Sequence, residues 1–212
     1  MSLLTILTFV EKKLENDDIY TFSFTSKHSL NHKAGQHGLF VLPGLYRPHP
    51  FTLSSSPEEQ YVTFSTHTAT GSAYKKKLLS LKPGAKMILA GPILNFTFTK
   101  DSSNYVFLAQ GIGITPFRSM LVHAHAKQLP INTTLIHVDS KGHTFKEMTQ
   151  QYATTAYYPI DAEAFQEIVK SQDVKQLFYI SGSPRFVAAT KVLLNEMGVE
   201  RGSIKTDSFL GY

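Results

Sequence analysis

Residues 108–121 read LAQGIGITPFRSML, and they follow without a break on the apolar run NYVFLAQ at residues 104–110. An apolar strand that runs into Gly-x-Gly and then at once into helical spacing is the strand–turn–helix join of an open sheet. At such a join Gly111 and Gly113 let the backbone approach a phosphate, while the helix amides and dipole attract its charge. Thr115 is placed to cap the helix, and Pro116 suits its first turn. A tight turn that needs glycine only for steric reasons explains the same residues equally well. Nucleotide binding and a plain turn both stay open at this point.

Working outward from that join, NTTLIHVD (132–139) and QLFYISG (176–182) are further continuous apolar runs, the form of parallel strands buried on both faces. Helical spacing fills the intervals in PFRSMLVHAHAKQ, FKEMTQQYA, DAEAFQEIVKS and PRFVAATKVLLNEMG. Alternating strands and helices predict an α/β doubly wound parallel sheet. Ser181, Gly182, Ser183 and Pro184 then lie at a strand's carboxyl end, the edge where such sheets bind ligands. A Ser/Gly loop before a proline-initiated helix is an equally good local account.

Upstream of residue 100 the rhythm is different. LLTILTFVEK, DIYTFSFTS, GQHGLFVLPG, HPFTLSS, QYVTFSTHT and AKMILAGP alternate apolar and polar residues and are separated by Gly, Pro and Ser. Six such strands predict a small antiparallel β-barrel or sandwich, with one helix over residues 72–81. The boundary falls near residues 96–104, giving domains 1–100 and 101–212. Within the first of these, RPHPFTLSSSP (47–57) is unusual: Pro48 and Pro50 force an extended chain and remove amide donors, which predicts that Phe51 is presented outward beside the Thr52 hydroxyl. Arg47 and His49 would suit a pyrophosphate, although surface solvation is the default for such groups.

Composition narrows the chemistry. Among 212 residues there is no cysteine, which removes disulfides, thiolate nucleophiles and cysteine-ligated metal clusters, so redox chemistry requires a bound organic cofactor. No apolar run is long enough to span a membrane, and acid and base appear too early for a secretory leader, which together predict a cytoplasmic protein. The net charge of +5 suits acidic ligands or an acidic protein partner, and no nucleic-acid-binding motif accompanies it. The Lys75, Lys76 and Lys77 triplet reads as a solvated helix face. His123, His125 and His137 have the spacing of packing or surface residues, and no metal site is expected.

HPFTLSS resembles the flavin-binding strand of the ferredoxin–NADP reductase superfamily, in the His-Pro-Phe-Thr form of ferric reductases and NADPH oxidases. AQGIGITP, SGSP and DSFLGY resemble that superfamily's pyridine-nucleotide loops and aromatic C-terminus, in the same order. HKAGQHGLFVLPG and LKPGAKMILAGP extend the match over nearly the whole chain. The resemblance implies FAD as cofactor and NADPH or NADH as co-substrate. It places Phe51 on the isoalloxazine, Thr52 at flavin N5, and Pro50, Leu53, Thr66 and His67 around them. The plant-type members carry Arg where this chain has His49, so Arg47 is a candidate substitute, with Gly71, Ser72 and Ala73 on the rest of the pyrophosphate and Lys75 assisting.

In the second domain the resemblance puts Gly111, Gly113, Thr115 and Pro116 at the NAD(P) pyrophosphate, and Gly182, Ser183 and Pro184 beside the nicotinamide. Ser181 stands where relatives often have cysteine, and Tyr212 corresponds to an aromatic that covers the flavin; with Thr52 these are the residues implied at the reacting rings. Ser140 and Lys141 could hold a 2′-phosphate whereas Asp139 would repel it, and the balance leans towards NADPH. The function implied is hydride transfer from NAD(P)H to flavin N5, with electrons passed on to a separate ferredoxin, flavodoxin, free flavin or ferric chelate. The rival is a non-catalytic flavin- or nucleotide-binding module of a larger electron-transfer complex.

Overall fold

The computed structural model describes residues 4–99 and 102–209, without the Tyr46 side chain. The expected Tyr212 site lies outside the described residues. Seven elements form the first half: β1 (Leu4–Asn16), β2 (Ile19–Ser26), β3 (His37–Leu42), β4 (Leu45–Thr52), β5 (Val62–His67), α1 (Ala73–Leu79) and β6 (Lys86–Ile93). The strands make one antiparallel sheet in the order β4-β3-β6-β1-β2-β5. Its two ends meet where the Ser54 amide donates to the Thr63 carbonyl (2.8 Å), curling the sheet into a half-barrel. The alternation visible in sequence is the reason: Phe22, Phe24, Phe40, Phe51 and Phe64 all point into one core, which Tyr74 and Leu78 of α1 plug from one end.

The second half holds β7 (Asn104–Gln110), α2 (Thr115–Ala126), β8 (Asn132–Val138), α3 (Lys146–Tyr152), β9 (Thr155–Tyr157), α4 (Ala162–Lys170), β10 (Leu177–Gly182), α5 (Pro184–Glu196) and β11 (Ile204–Ser208), with 3-10 turns at Gly111–Ile114 and Arg201–Ser203. Its five strands are all parallel, in the order β11-β10-β7-β8-β9. Along β7 successive residues feed opposite cores. Tyr105, Phe107 and Ala109 join Phe117 and Met120 of α2, while Val106 and Leu108 join Phe165 of α4 and Val187 of α5. Helices on both faces explain why these strands read as unbroken apolar runs. The two-domain architecture predicted from sequence is the one observed; β9 and β11 are additional strands.

The serine run after Thr52 joins the halves. Ser54, Ser55 and Ser56 are buried, and their loop docks on α2: Ser119 Oγ donates to the Ser55 carbonyl (2.7 Å) and Arg118 to the Ser54 carbonyl (2.9 Å). Arg118 also forks onto Glu59, with Nη2 to Oε1 at 2.7 Å. One turn further along, His123 lies 2.9 Å from Glu58.

Candidate functional site

Two adjoining cavities lie between the halves. A cleft of about 730 Å³ sits at the carboxyl ends of β7, β8 and β10 and is lined by Gly111, Asp139, Ser140, Lys141, Gly182, Ser183 and Pro184, with Phe165 and Phe186 at its apolar end. A cavity of about 630 Å³ on the barrel side is lined by Pro50, Phe51, Thr52, Thr66, His67, Lys75 and Thr115. Asp17, Asp18, His67, Ile112, Lys141 and Phe209 line both, so the two spaces share a wall.

The placement of β4 corrects one expectation. The strand pairs with β3 through its prolines, Leu39 opposite Pro50 and Gly38 opposite Phe51. Lying last in the sheet order, it tolerates their missing donors. Phe51 is therefore not presented outward: it is 8% exposed and stacks on Phe64 with centroids 4.5 Å apart and planes 7° apart. Lys75 Nζ lies 4.8 Å over the Phe51 ring and donates to Thr66 Oγ1.

Thr52 is buried with its hydroxyl 3.1 Å from His37 Nε2, and that nitrogen is 3.4 Å from Asp207 Oδ2. Burial pulls the His37 imidazole down to about 4 and pushes the Asp207 carboxyl up to about 7. Between about pH 4 and 7 the pair is thus a neutral imidazole beside a protonated acid, not an ion pair. Thr52 lines the barrel-side cavity, and the arrangement Thr52–His37–Asp207 can hold a proton behind it. Asp18 is kept charged: burial opposes this, and bonds from His67, Ala69 N–H and Thr68 N–H outweigh it to pull the carboxyl below its usual range.

Several expected residues lie outside both linings, each for a visible reason. Arg47 is exposed on the edge strand, and the His49 ring stacks on Tyr74 at 3.8 Å. Leu53 is a core residue. Gly71 and Ala73 face solvent, and the Ser72 hydroxyl accepts from Lys75 N–H to cap α1. Gly113 is required by packing: a Cβ there would stand 2.2 Å from the Ser181 carbonyl oxygen. Ser181 is sealed beneath that contact, and Pro116 is buried at the start of α2. Thr115 borders the barrel-side cavity and bonds the Ile112 carbonyl, while Gly111 does line the sheet-side cleft with φ +52°, a conformation that favours glycine.

Other residues complete the site, among them His137, which the sequence reading took as a packing or surface residue, and Gln110, to which it gave no role. His137, buried at the end of β8, donates to the Gly111 carbonyl (2.9 Å) and pins the glycine turn; burial, with His143 adding, holds its pKa at about 3 and its ring neutral. Gln110 accepts from Ser183 Oγ (2.7 Å), joining the two loops of the cleft. Phe209 lies on the shared wall, anchored by its amide to the Gly182 carbonyl (2.9 Å). The signal for it was the burial demanded by the apolar SFL near the C-terminus.

No family model matches the chain. It is 25% identical over 186 residues to a flavohemoprotein of Bacillus subtilis (strain 168), covering 75% of this chain and 46% of that protein. It is 24% identical to flavohemoprotein A of Dictyostelium discoideum, covering 94% and 59%. The chain spans about half the length of the curated relatives it matches. Among solved structures, a ferredoxin NADP+ reductase from Neisseria gonorrhoeae with bound FAD and NADP superposes with a TM-score of 0.82 at 17% identity, covering 98% of this chain and 99% of that one. The FAD/NAD-binding domain of nitric oxide dioxygenase from Vibrio cholerae O1 biovar El Tor gives 0.76 at 19% identity, covering 97% and 98%. A half-barrel followed by a five-stranded parallel sheet, with a cleft shared between them, is the two-domain fold of the ferredoxin–NADP reductase superfamily, and this chain has it.

Proposed function

We propose that the chain is an NAD(P)H-dependent flavoprotein reductase, with residues 1–100 as the FAD-binding domain and 101–212 as the nucleotide-binding domain. The observation that carries this is the shared wall. Hydride transfer needs two flat rings in contact, and the barrel-side cavity and the sheet-side cleft meet at Ile112 and Phe209. Bound FAD would accept hydride from C4 of the nicotinamide at N5 and release electrons to an acceptor; the cofactor carries that chemistry. The chain's part is binding and orientation. Pro50, Phe51, Thr52, Thr66 and Lys75 would hold the isoalloxazine, and Phe209 would separate it from the nicotinamide until the latter docks.

For the nucleotide, Gly111 and the pinned turn suit the pyrophosphate, and Gly182, Ser183 and Pro184 the nicotinamide end. The cleft favours NADH, against the leaning towards NADPH read from Ser140 and Lys141. Asp17, Asp18, Asp139 and Asp161 all line it, and Lys141 Nζ is 3.9 Å from Asp17. A 2′-phosphate would face those carboxylates, whereas Asp139 can accept from a free ribose hydroxyl. The electron acceptor is a separate acidic carrier protein or a small molecule, in keeping with the charge of +5. No helix among the described residues is long and apolar enough to cross a membrane.

The test is an anaerobic absorbance titration of the purified chain, loaded with FAD and freed of excess, with NADH and then NADPH. Rapid bleaching by NADH is the expected result. Retained flavin that neither nucleotide reduces would make the chain a binding module, and a colourless protein would remove the flavin altogether.

A further inference from the structure

We propose that the Lys75 ammonium is the electrostatic partner of the flavin ring, facing its N1 and C2-carbonyl side; this rests on the reading of the barrel-side cavity as the flavin site. The lysine triplet was expected to be a solvated face, and Lys76 is exposed, but Lys75 is 2% exposed and lies between Tyr74 of the barrel core and the cavity it lines. A buried ammonium needs compensation. In the described residues its Nζ has the neutral Thr66 hydroxyl and the face of Phe51 at 4.8 Å, and no carboxylate at ion-pair distance. The other two basic side chains on the cavity wall each have a carboxylate beside them: His67 lies 2.9 Å from Asp18, and Lys141 3.9 Å from Asp17. Among the described residues Lys75 is thus the lining cation with no carboxylate within ion-pair distance, Asp18 acting on it only from further away.

Position selects which part of the cofactor supplies it. Arg47 and His49, candidates for the pyrophosphate, do not line the cavity, whereas Lys75, first read as assisting there, stands over the Phe51 ring, bonds Thr66 and shares the cavity lining with Thr52. Oxidised flavin offers only neutral acceptors on that side. A hydride delivered to N5 of a bound flavin from C4 of the nicotinamide would bring two electrons and one proton, release the nicotinamide as a cation and leave one negative charge on the N1 and C2-carbonyl side of the ring. An ammonium fixed there stabilises the product ring more than the starting one, which is the differential that drives transfer. Burial lowers the Lys75 pKa to about 8, with Asp18 opposing, so the group is charged at neutral pH.

The experiment uses the full chain stripped of flavin. Dissociation constants for riboflavin, FMN and FAD, and the midpoint potential of bound FAD, are measured for the wild type and for Lys75→Met and Lys75→Arg, with Lys75→Gln as a second neutral variant should methionine disturb α1. Both neutral variants are expected to weaken all three flavins by a similar factor, and to favour the oxidised over the reduced ring by about tenfold, a fall of about 30 mV for a two-electron couple. Lys75→Arg should keep most of both. A loss confined to FMN and FAD would overturn the assignment by placing Lys75 on phosphate. Unchanged affinity and potential would overturn it while leaving the flavin reading intact. A wild type that binds no flavin would remove that reading first.

Discussion

The Thr52 hydroxyl and the Asp207 carboxyl, 155 residues apart by their numbers, both touch one nitrogen, His37 Nε2, at 3.1 and 3.4 Å. The barrel thereby reaches through an imidazole into the last described strand of the other domain. If Thr52 aligns the reacting ring, Thr52→Val, which keeps the volume and removes the hydroxyl, should slow flavin reduction by NADH about a hundredfold and leave the FAD dissociation constant nearly unchanged. Stopped-flow bleaching at saturating NADH is the measurement.

The buried pair predicts an unusual pH–stability profile. Asp207 is raised from 3.8 to about 7, so its contribution is present at low pH and is lost as pH rises to about 7. His37 is lowered from 6.5 to about 4, so its contribution is present above 6.5 and is lost as pH falls to about 4. Between about 4 and 6.5 the slopes oppose and the pair contributes little net dependence. Asp207→Asn should unmask the histidine, making stability rise with pH across that window; His37→Gln should make it fall. Urea midpoints from pH 4 to 7.5 check both, and parallel profiles in the two variants would contradict the pairing.

At Gly113 the cost is steric. Alanine would bring a Cβ to 2.2 Å from the Ser181 carbonyl oxygen and 2.9 Å from Gly182 Cα, both backbone atoms that can yield only by moving β10. We expect a loss of about 3 kcal/mol, read as a lower urea midpoint at unchanged slope. Gly111→Ala, where a Cβ meets only Asp139 Oδ2 at 3.7 Å, carries only the left-handed backbone penalty of about 1–2 kcal/mol, and should weaken NADH binding more than it weakens the fold.

Coenzyme choice should follow charge. Asp139→Ser removes the carboxylate whose Oδ1 accepts from Lys141 N–H (2.9 Å) at the end of β8. The ratio of kcat/KM for NADH over NADPH should fall about tenfold, the scale of a 1.4 kcal/mol change, through KM more than kcat. An unchanged ratio would show that the 2′ position is read elsewhere.

Much of this was legible because local pattern and tertiary role coincide. The apolar runs 104–110 and 176–182 are continuous because both faces of β7 and β10 are covered, and the alternation in β2 and β5 is the barrel's inside and outside. Elsewhere they part. Strand β9 has three residues, too short for any period, and IKTDS of β11 is polar because it borders the sheet at its end. Gly113 resembled a phosphate residue, yet its neighbour Ser181 is fixed only by the pairing of β7 with β10. Lys75 shares a polar triplet with an exposed neighbour, and only the rotation of α1 against the barrel separates a solvated lysine from a buried one.

The buried serines and the Arg118–Glu59 fork have a mechanical meaning. The segment that follows β4 continues directly into the seat of α2, whose first turn begins where the glycine turn ends. The distance between the two cavities is therefore set by the short segment from Thr52 to Glu59, which is bonded to α2. Damage to this seat would leave each half able to fill its own cavity and would register as lost coordination between them, a fault of alignment that neither binding assay alone would detect.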